Sequence, residues 1–195
     1  MKKPLIILLT LTLIWSIPVC AQDDYSNEDP DFYYGAVSND LLTKTPIRTL
    51  NNINITAESG PLFYRIRSLE VQHISNASEA AMEQLGIADD SCTVVTAYIV
   101  VENRSDAPAC GFLWKNLLIT DTVAANRRKD VSDLCSEVYA PNSSETVCLM
   151  YVFDDLNPSE ITTLTFSFPT PKDTEGNVLD SVSKIHILLD DYINE

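Results

Sequence analysis

Few side chains in this sequence could carry chemistry. They are two histidines, His73 and His186, four cysteines beyond the first strongly apolar stretch (Cys92, Cys110, Cys135 and Cys148), and four adjacent acid pairs. A histidine can serve as base to a Ser or Cys nucleophile, with partners that meet only in the fold. No G-x-S-x-G or H-E-x-x-H is present, so no local pattern recruits either histidine. A lone strand histidine is ordinarily a half-buried structural residue. The cysteine spacings contain no C-x-x-C, which removes support for a zinc or thioredoxin-like centre. The acid pairs are Asp23-Asp24, Asp89-Asp90, Asp154-Asp155 and Asp190-Asp191. Calcium takes roughly six to eight oxygens, usually from several loops. Asp154, Asp155 and Asn157 share one loop and can supply some of them, but no D-x-D-x-D-G loop exists. The plainer reading of each pair is a solvated strand end.

The only basic cluster, Arg127-Arg128-Lys129, falls between two apolar stretches. As a hairpin tip it would blunt a sheet edge, or dock an acidic partner. N-x-S/T occurs at Asn54, Asn76, Asn103 and Asn142, which matters only in a source that glycosylates them.

The start of the chain bounds where this chemistry would operate. Lys2 and Lys3 precede an apolar run at 5–19, followed by Val19-Cys20-Ala21. A charged head, an apolar middle and a small-residue exit describe a secretory signal cut after Ala21. The run is short of the roughly 20 residues that a membrane-spanning helix needs, and no later segment supplies one. Cys20 allows a second reading as a lipid-bearing first mature residue, although Pro18-Val19 is an unusual approach to such a site. Either way the expected location is secreted or cell-surface.

Removal of the signal leaves 174 of 195 residues, enough for one domain. The net charge is −15, and losing Lys2 and Lys3 makes it −17. Such a polyanion is repelled by nucleic acid phosphates and anionic lipid. Nothing implies a cofactor. An even number of mature cysteines in an exported protein predicts disulfides, each contributing about 3–4 kcal/mol on the loop-entropy model. Three pairings are open. Cys135 and Cys148 flank the turn at Pro141-Asn142 and would face each other in a hairpin. A two-sheet fold favours Cys110–Cys148, since the hairpin option leaves Cys92 and Cys110 at unlike heights.

Residues 22–57 read as an acidic, partly disordered tether, with its end lying along the domain. From 58 to 195 the pattern is short strands and turns. The predicted strands are 62–74, with a face switch that implies a bulge near Arg67 and Ser68, then 92–103, 112–121, 131–139, 146–153, 161–168 and 183–189. One short helix is predicted within 75–85, with Asn76 or Ser78 as its cap and Gly86 beyond its end. About seven one-face-apolar strands without crossover helices predict an all-β, antiparallel, immunoglobulin-like two-sheet sandwich with one helical insertion.

The run VVTAYIVVENRSDAP at 94–108, Leu118-Ile-Thr-Asp121 and the strand from Asn142 to Phe153 resemble a group of bacterial extracytoplasmic immunoglobulin-like domains of unknown function. That group is related to the mycobacterial secreted immunoprotective antigen family. The four cysteines and Pro141-Asn142, in place of the usual Pro-Gly, depart from its pattern. The resemblance implies a fold and an exported location and offers no catalytic residues. The expected function is a binding or accessory module without enzyme activity, acting on an unknown protein or cell-surface ligand. The alternatives are a calcium-dependent adhesion or stability module, and an unrecognised hydrolase.

Overall fold

The run at 92–103, apolar on both faces, becomes a central strand of the larger of two sheets. A computed structural model describes residues 41–126 and 135–192. Strands are numbered in chain order. The larger sheet contains β1 (Thr43–Leu50), β2 (Ile55–Ser59), β3 (Leu62–Ser75), β4 (Cys92–Asn103) and β9 (Ser144–Phe153). Its order is β1-β3-β4-β9, with β2 also paired to β3. The second sheet contains β6 (Leu117–Ile119), β7 (Ala124–Asn126), β10 (Thr163–Phe168) and β11 (Ser183–Leu188), in the order β11-β10-β6-β7. A small ribbon joins β5 (Ala109–Cys110) to β8 (Val138–Tyr139). All these pairings are antiparallel. The expected all-β sandwich with one helix is the observed architecture.

Burial of alternate side chains explains the sandwich. Val95, Ala97, Ile99 and Val101 of β4 meet Val147, Leu149, Tyr151 and Phe153 of β9 on the inner face. Leu164, Phe166, Phe168, Ile185 and Ile187 come from the opposite sheet. Tyr64 stacks on Phe168 with ring centroids 4.1 Å apart, and Tyr151 meets Phe166 edge-on at 5.8 Å. The predicted bulge is present: the β3–β4 register shifts between Ile66 and Ser68. It lets Tyr64 and Ile66, then Leu69 and Val71, all reach the same core.

The helical insertion is α1 (Glu79–Leu85). Of the two candidate caps, Ser78 is the one used, accepting from the Ala81 amide at 3.3 Å, and Gly86 closes the helix at φ 66°. The seven-residue helix is too short to stand alone in water; Ala81 and Leu85 anchor it by burial.

Three expectations about the elements need correction. The segment ending at 57 carries β1 and all but the end of β2, so the sandwich takes in residues read as tether. Pro46 and a register shift between Pro46 and Arg48 hid β1, and Asn52 and Asn54, both at positive φ, break the pattern before β2. The predicted strand 112–121 is a 3₁₀ turn (Leu113–Lys115) followed by three-residue β6, because Phe112 adopts φ 43°. Of 131–139, the described part is a strand only at Val138–Tyr139.

The described cysteines form no disulfide, against the expectation of two. Cys148 lies opposite Tyr98 in β9, between inward-pointing Val147 and Leu149, so its side chain faces away from the interior. Cys110 belongs to the β5–β8 ribbon, with its sulfur 3.6 Å from the Asp173 carbonyl. Cys92 is six residues from Tyr98 along β4, about 20 Å at strand rise, beyond disulfide reach of Cys148. Cys135 is half-buried against the core. The signal at 1–21, Cys20, Asp23-Asp24 and Arg127-Arg128-Lys129 lie outside the described residues. Among the described residues, no helix is long and apolar enough to cross a membrane.

Candidate functional site

A cleft of about 430 Å³ opens at one end of the larger sheet. Antiparallel pairing builds its floor. Thr45 of β1 lies opposite His73 of β3, and Ile74 lies opposite Cys92, the first residue of β4. The β1 irregularity after Pro46 turns Ile47 into the same opening. The far wall is the loop after β9, with Asp154, Asp155, Leu156 and Asn157 leading into a 3₁₀ turn (Pro158–Glu160). Two contacts hold this loop. The Thr93 hydroxyl donates to the Leu156 carbonyl. The Asn157 side chain accepts from the Ser159 amide at 3.1 Å and donates to Glu160 at 3.0 Å.

The fold thus brings His73, Cys92 and the Asp154-Asp155 pair together, which sequence spacing does not reveal. Their electrostatics restrict what they can do. Burial, reinforced by the Asp154 carboxylate, pushes the Cys92 thiol pKa up to about 12. A nucleophilic cysteine needs the opposite environment, a cation or helix N-terminus that favours thiolate. Among the described residues, His73 Nδ1 is buried without a hydrogen-bond partner, so none of them orients the ring through that nitrogen. Asp154 and Asp155 are exposed at the mouth. The Asn157 side-chain oxygen, one possible cation ligand, is already spent on the Ser159 amide. The described residues contain no group of three or more His, Cys, Asp or Glu side chains placed to hold a metal ion.

The other candidates are dispersed. His186 sits on the exposed face of β11, its Nδ1 2.8 Å from the Thr165 hydroxyl. Asp89-Asp90 precedes β4. Asp190 pairs with Arg48 at 2.9 Å. Asn54, Asn76 and Asn142 are exposed, but Asn103 is only 1% accessible. Its amide donates to the carbonyls of Ala107, Tyr139 and Ala140 at 2.8, 3.0 and 3.1 Å. That asparagine is a structural hub.

Sequence reasoning missed two polar sites. Asp121 accepts from the amides of Thr162 and Thr163 at 2.7 and 3.1 Å and from their hydroxyls at 2.8 and 2.6 Å. Partial burial alone would raise its pKa; the bonds from Thr163 and Thr162 outweigh this and hold the carboxylate well below its ordinary range. Glu70 and Gln72 alternate with apolar residues in β3, the pattern of a solvent face, yet each is 5% accessible.

No family model matches the chain, and no curated protein matches it. Solved structures share the fold at low identity. A functionally unknown protein from Listeria monocytogenes EGD-e aligns with TM-score 0.54 and 12% identity over 66% of this chain and 79% of that one. The ycdA protein of Bacillus subtilis, a candidate lipoprotein, aligns with TM-score 0.50 and 14% identity over 70% of this chain and 39% of that one. At these identities the likeness is one of fold.

Proposed function

We propose that this protein is an exported binding or accessory module that takes its ligand in the cleft between β1 and the Asp154–Ser159 loop, without catalysing a reaction there. The observation that carries this reading is the cleft itself, ligand-sized and lined by Ile47, Leu156 and Pro158, in which burial and the Asp154 carboxylate disfavour the thiolate of Cys92. Ile47, Leu156 and Pro158 offer apolar wall, and Asp154 and Asp155 place negative charge at the entrance. Such a lining suits a partner group with an apolar stem and a cationic end. The lysine-led apolar start supports a location outside the cytosol, as does the likeness in fold to a candidate lipoprotein.

A screen of small cations and basic peptides, followed by amide NMR, tests the reading. Binding should shift Thr45, His73, Ser91 and Leu156 together, and Asp154→Asn should weaken it. Hits that all map to other surfaces, or turnover of any of these compounds at the cleft, would overturn it.

A further inference from the structure

A sheet that ends in a regular strand turns a row of backbone donors and acceptors to the outside. β11 is such a strand, standing at the end of the order β11-β10-β6-β7. Its register with β10 runs from Ser183 to Leu188 without a shift. The parity of its bonds follows from the next pair along, where the Leu189 amide donates to the Thr162 carbonyl at 2.8 Å. Bonded and non-bonded pairs alternate in an antiparallel ladder. Ser183, Ile185 and Ile187 therefore give their backbone groups to β10, and Lys184, His186 and Leu188 turn theirs outward. The side-chain bond between Thr165 and His186 agrees, since side chains come closest in the non-bonded pairs.

Two other margins are blunted. β1 is broken by Pro46 and a register shift, and β7 is three residues long; short or interrupted edges resist pairing. β11 has neither a proline nor a bulge. The polar contacts from the other sheet meet the chain before and after this strand, at Asp180, Ser181 and Asp190. Among the described residues, none meets the backbone of 184–188. The run VSKIHIL at 182–188 holds no acid, in a chain of net charge −15. Val182 and Leu188 are 49% and 45% exposed.

We propose that β11 is the docking edge for a second copy of this chain, the two β11 strands pairing antiparallel about a two-fold axis at His186. In that register His186 faces His186 of the second copy, and Lys184 faces Leu188 of the second copy, once on each side of the axis. All these residues turn their backbone groups outward, so each pair exchanges two bonds. A slip of one residue would set them against residues already bonded to β10. The lysine stem lies along the opposite leucine and no two lysines face each other. The acid-free strip is also where two polyanions repel least. The four-stranded sheets of the two copies become one continuous sheet. Each copy uses the same edge, so association stops at the dimer. The contact is a single strand pair, which makes it a weak interface.

Analytical ultracentrifugation of the reduced full-length protein, from about 10 μM to about 1 mM, tests this. Reduction keeps the free cysteines from linking copies. A monomer–dimer equilibrium without larger species is expected. Hydrogen exchange at the two ends of that range should show the amides of Lys184, His186 and Leu188 gaining protection with concentration. Leu188→Lys sets like charges opposite each other twice across the axis, at an exposed position, and should weaken dimerisation about tenfold. His186→Pro removes an outward amide without taking a bond from β10, and should weaken it too. Circular dichroism checks that both variants fold. A monomer throughout the range would overturn the proposal. So would a dimer in which those three amides exchange as freely as in dilute protein, or one that folded Leu188→Lys leaves intact. The wild-type measurements decide even where a variant does not fold.

Discussion

Asn103 shows how much a single amide can organise. Besides its three donated bonds, its side-chain oxygen accepts from the Ser105 amide and hydroxyl at 3.1 and 2.8 Å. Asn103→Ala would leave buried carbonyls unpaired, each costly. A loss of about 2–4 kcal/mol in urea unfolding is expected. Tyr64 is the converse case, since its buried hydroxyl has no partner. Burial moves its pKa upward, since the phenolate would be poorly solvated there. Tyr64→Phe keeps the stack on Phe168 and removes the orphan, so stability should hold or rise by up to about 1 kcal/mol; a clear loss would mean the hydroxyl is satisfied in solution. Asp121 supplies a pH signature. Its folded pKa is depressed, so its stabilisation is fully present above the unfolded value near 4 and is lost as pH falls through the acid range. Asp121→Asn should flatten the acid limb of a thermal-melt series and cost about 1 kcal/mol at pH 7, a figure discounted for the site's exposure.

At the scale of elements, legibility followed the cleanness of the alternation. β4 carries apolar residues on both faces through a continuous run, and its limits agree with the sequence reading residue for residue. The bulge in β3 was readable because a face switch has few other causes. α1 was readable from its caps, and Gly86→Ala should cost about 1 kcal/mol, since φ 66° suits glycine best. Hydrogen exchange confined to the helix would check that the loss is local. β1 and β2 were not readable. Their pairing partner, β3, lies a few to about thirty residues further on, and only that pairing makes a strand of a segment containing Pro46. The cleft failed for the same reason: Thr45, His73, Cys92 and Asp154 come from four separate stretches. The residue types capable of chemistry are evident in the sequence, but their meeting is not.

For the whole molecule, the two sheets are joined at one margin by polar contacts as well as by the core. The Ser59 hydroxyl donates to the Ser181 carbonyl at 2.6 Å, the Gly60 amide donates to Asp180 at 2.6 Å, and Arg48 reaches Asp190. Arg48 lies in β1, within the segment 22–57, and Ser59 ends β2, which begins in that segment. Limited proteolysis of the native protein should therefore leave a stable core that begins before Thr43, with β1 and β2 retained. A core starting near 57 would show that β1 does not stay paired in solution.

The two sheets also differ in how they treat their outward sides. Along β4 and β9 the outward-facing Val94, Thr96, Val100, Cys148 and Met150 are buried, whereas on β11 the outward-facing Lys184, His186 and Leu188 are open. The outer side of β4 and β9 is therefore closed to solvent where the outer side of β11 is open. A water-soluble footprinting reagent would mark Lys184, His186 and Leu188 of β11 and leave Val94, Val100, Cys148 and Met150 almost untouched. A surface bearing this protein would display its two sides unequally, and orientation relative to that surface would become part of what the protein presents.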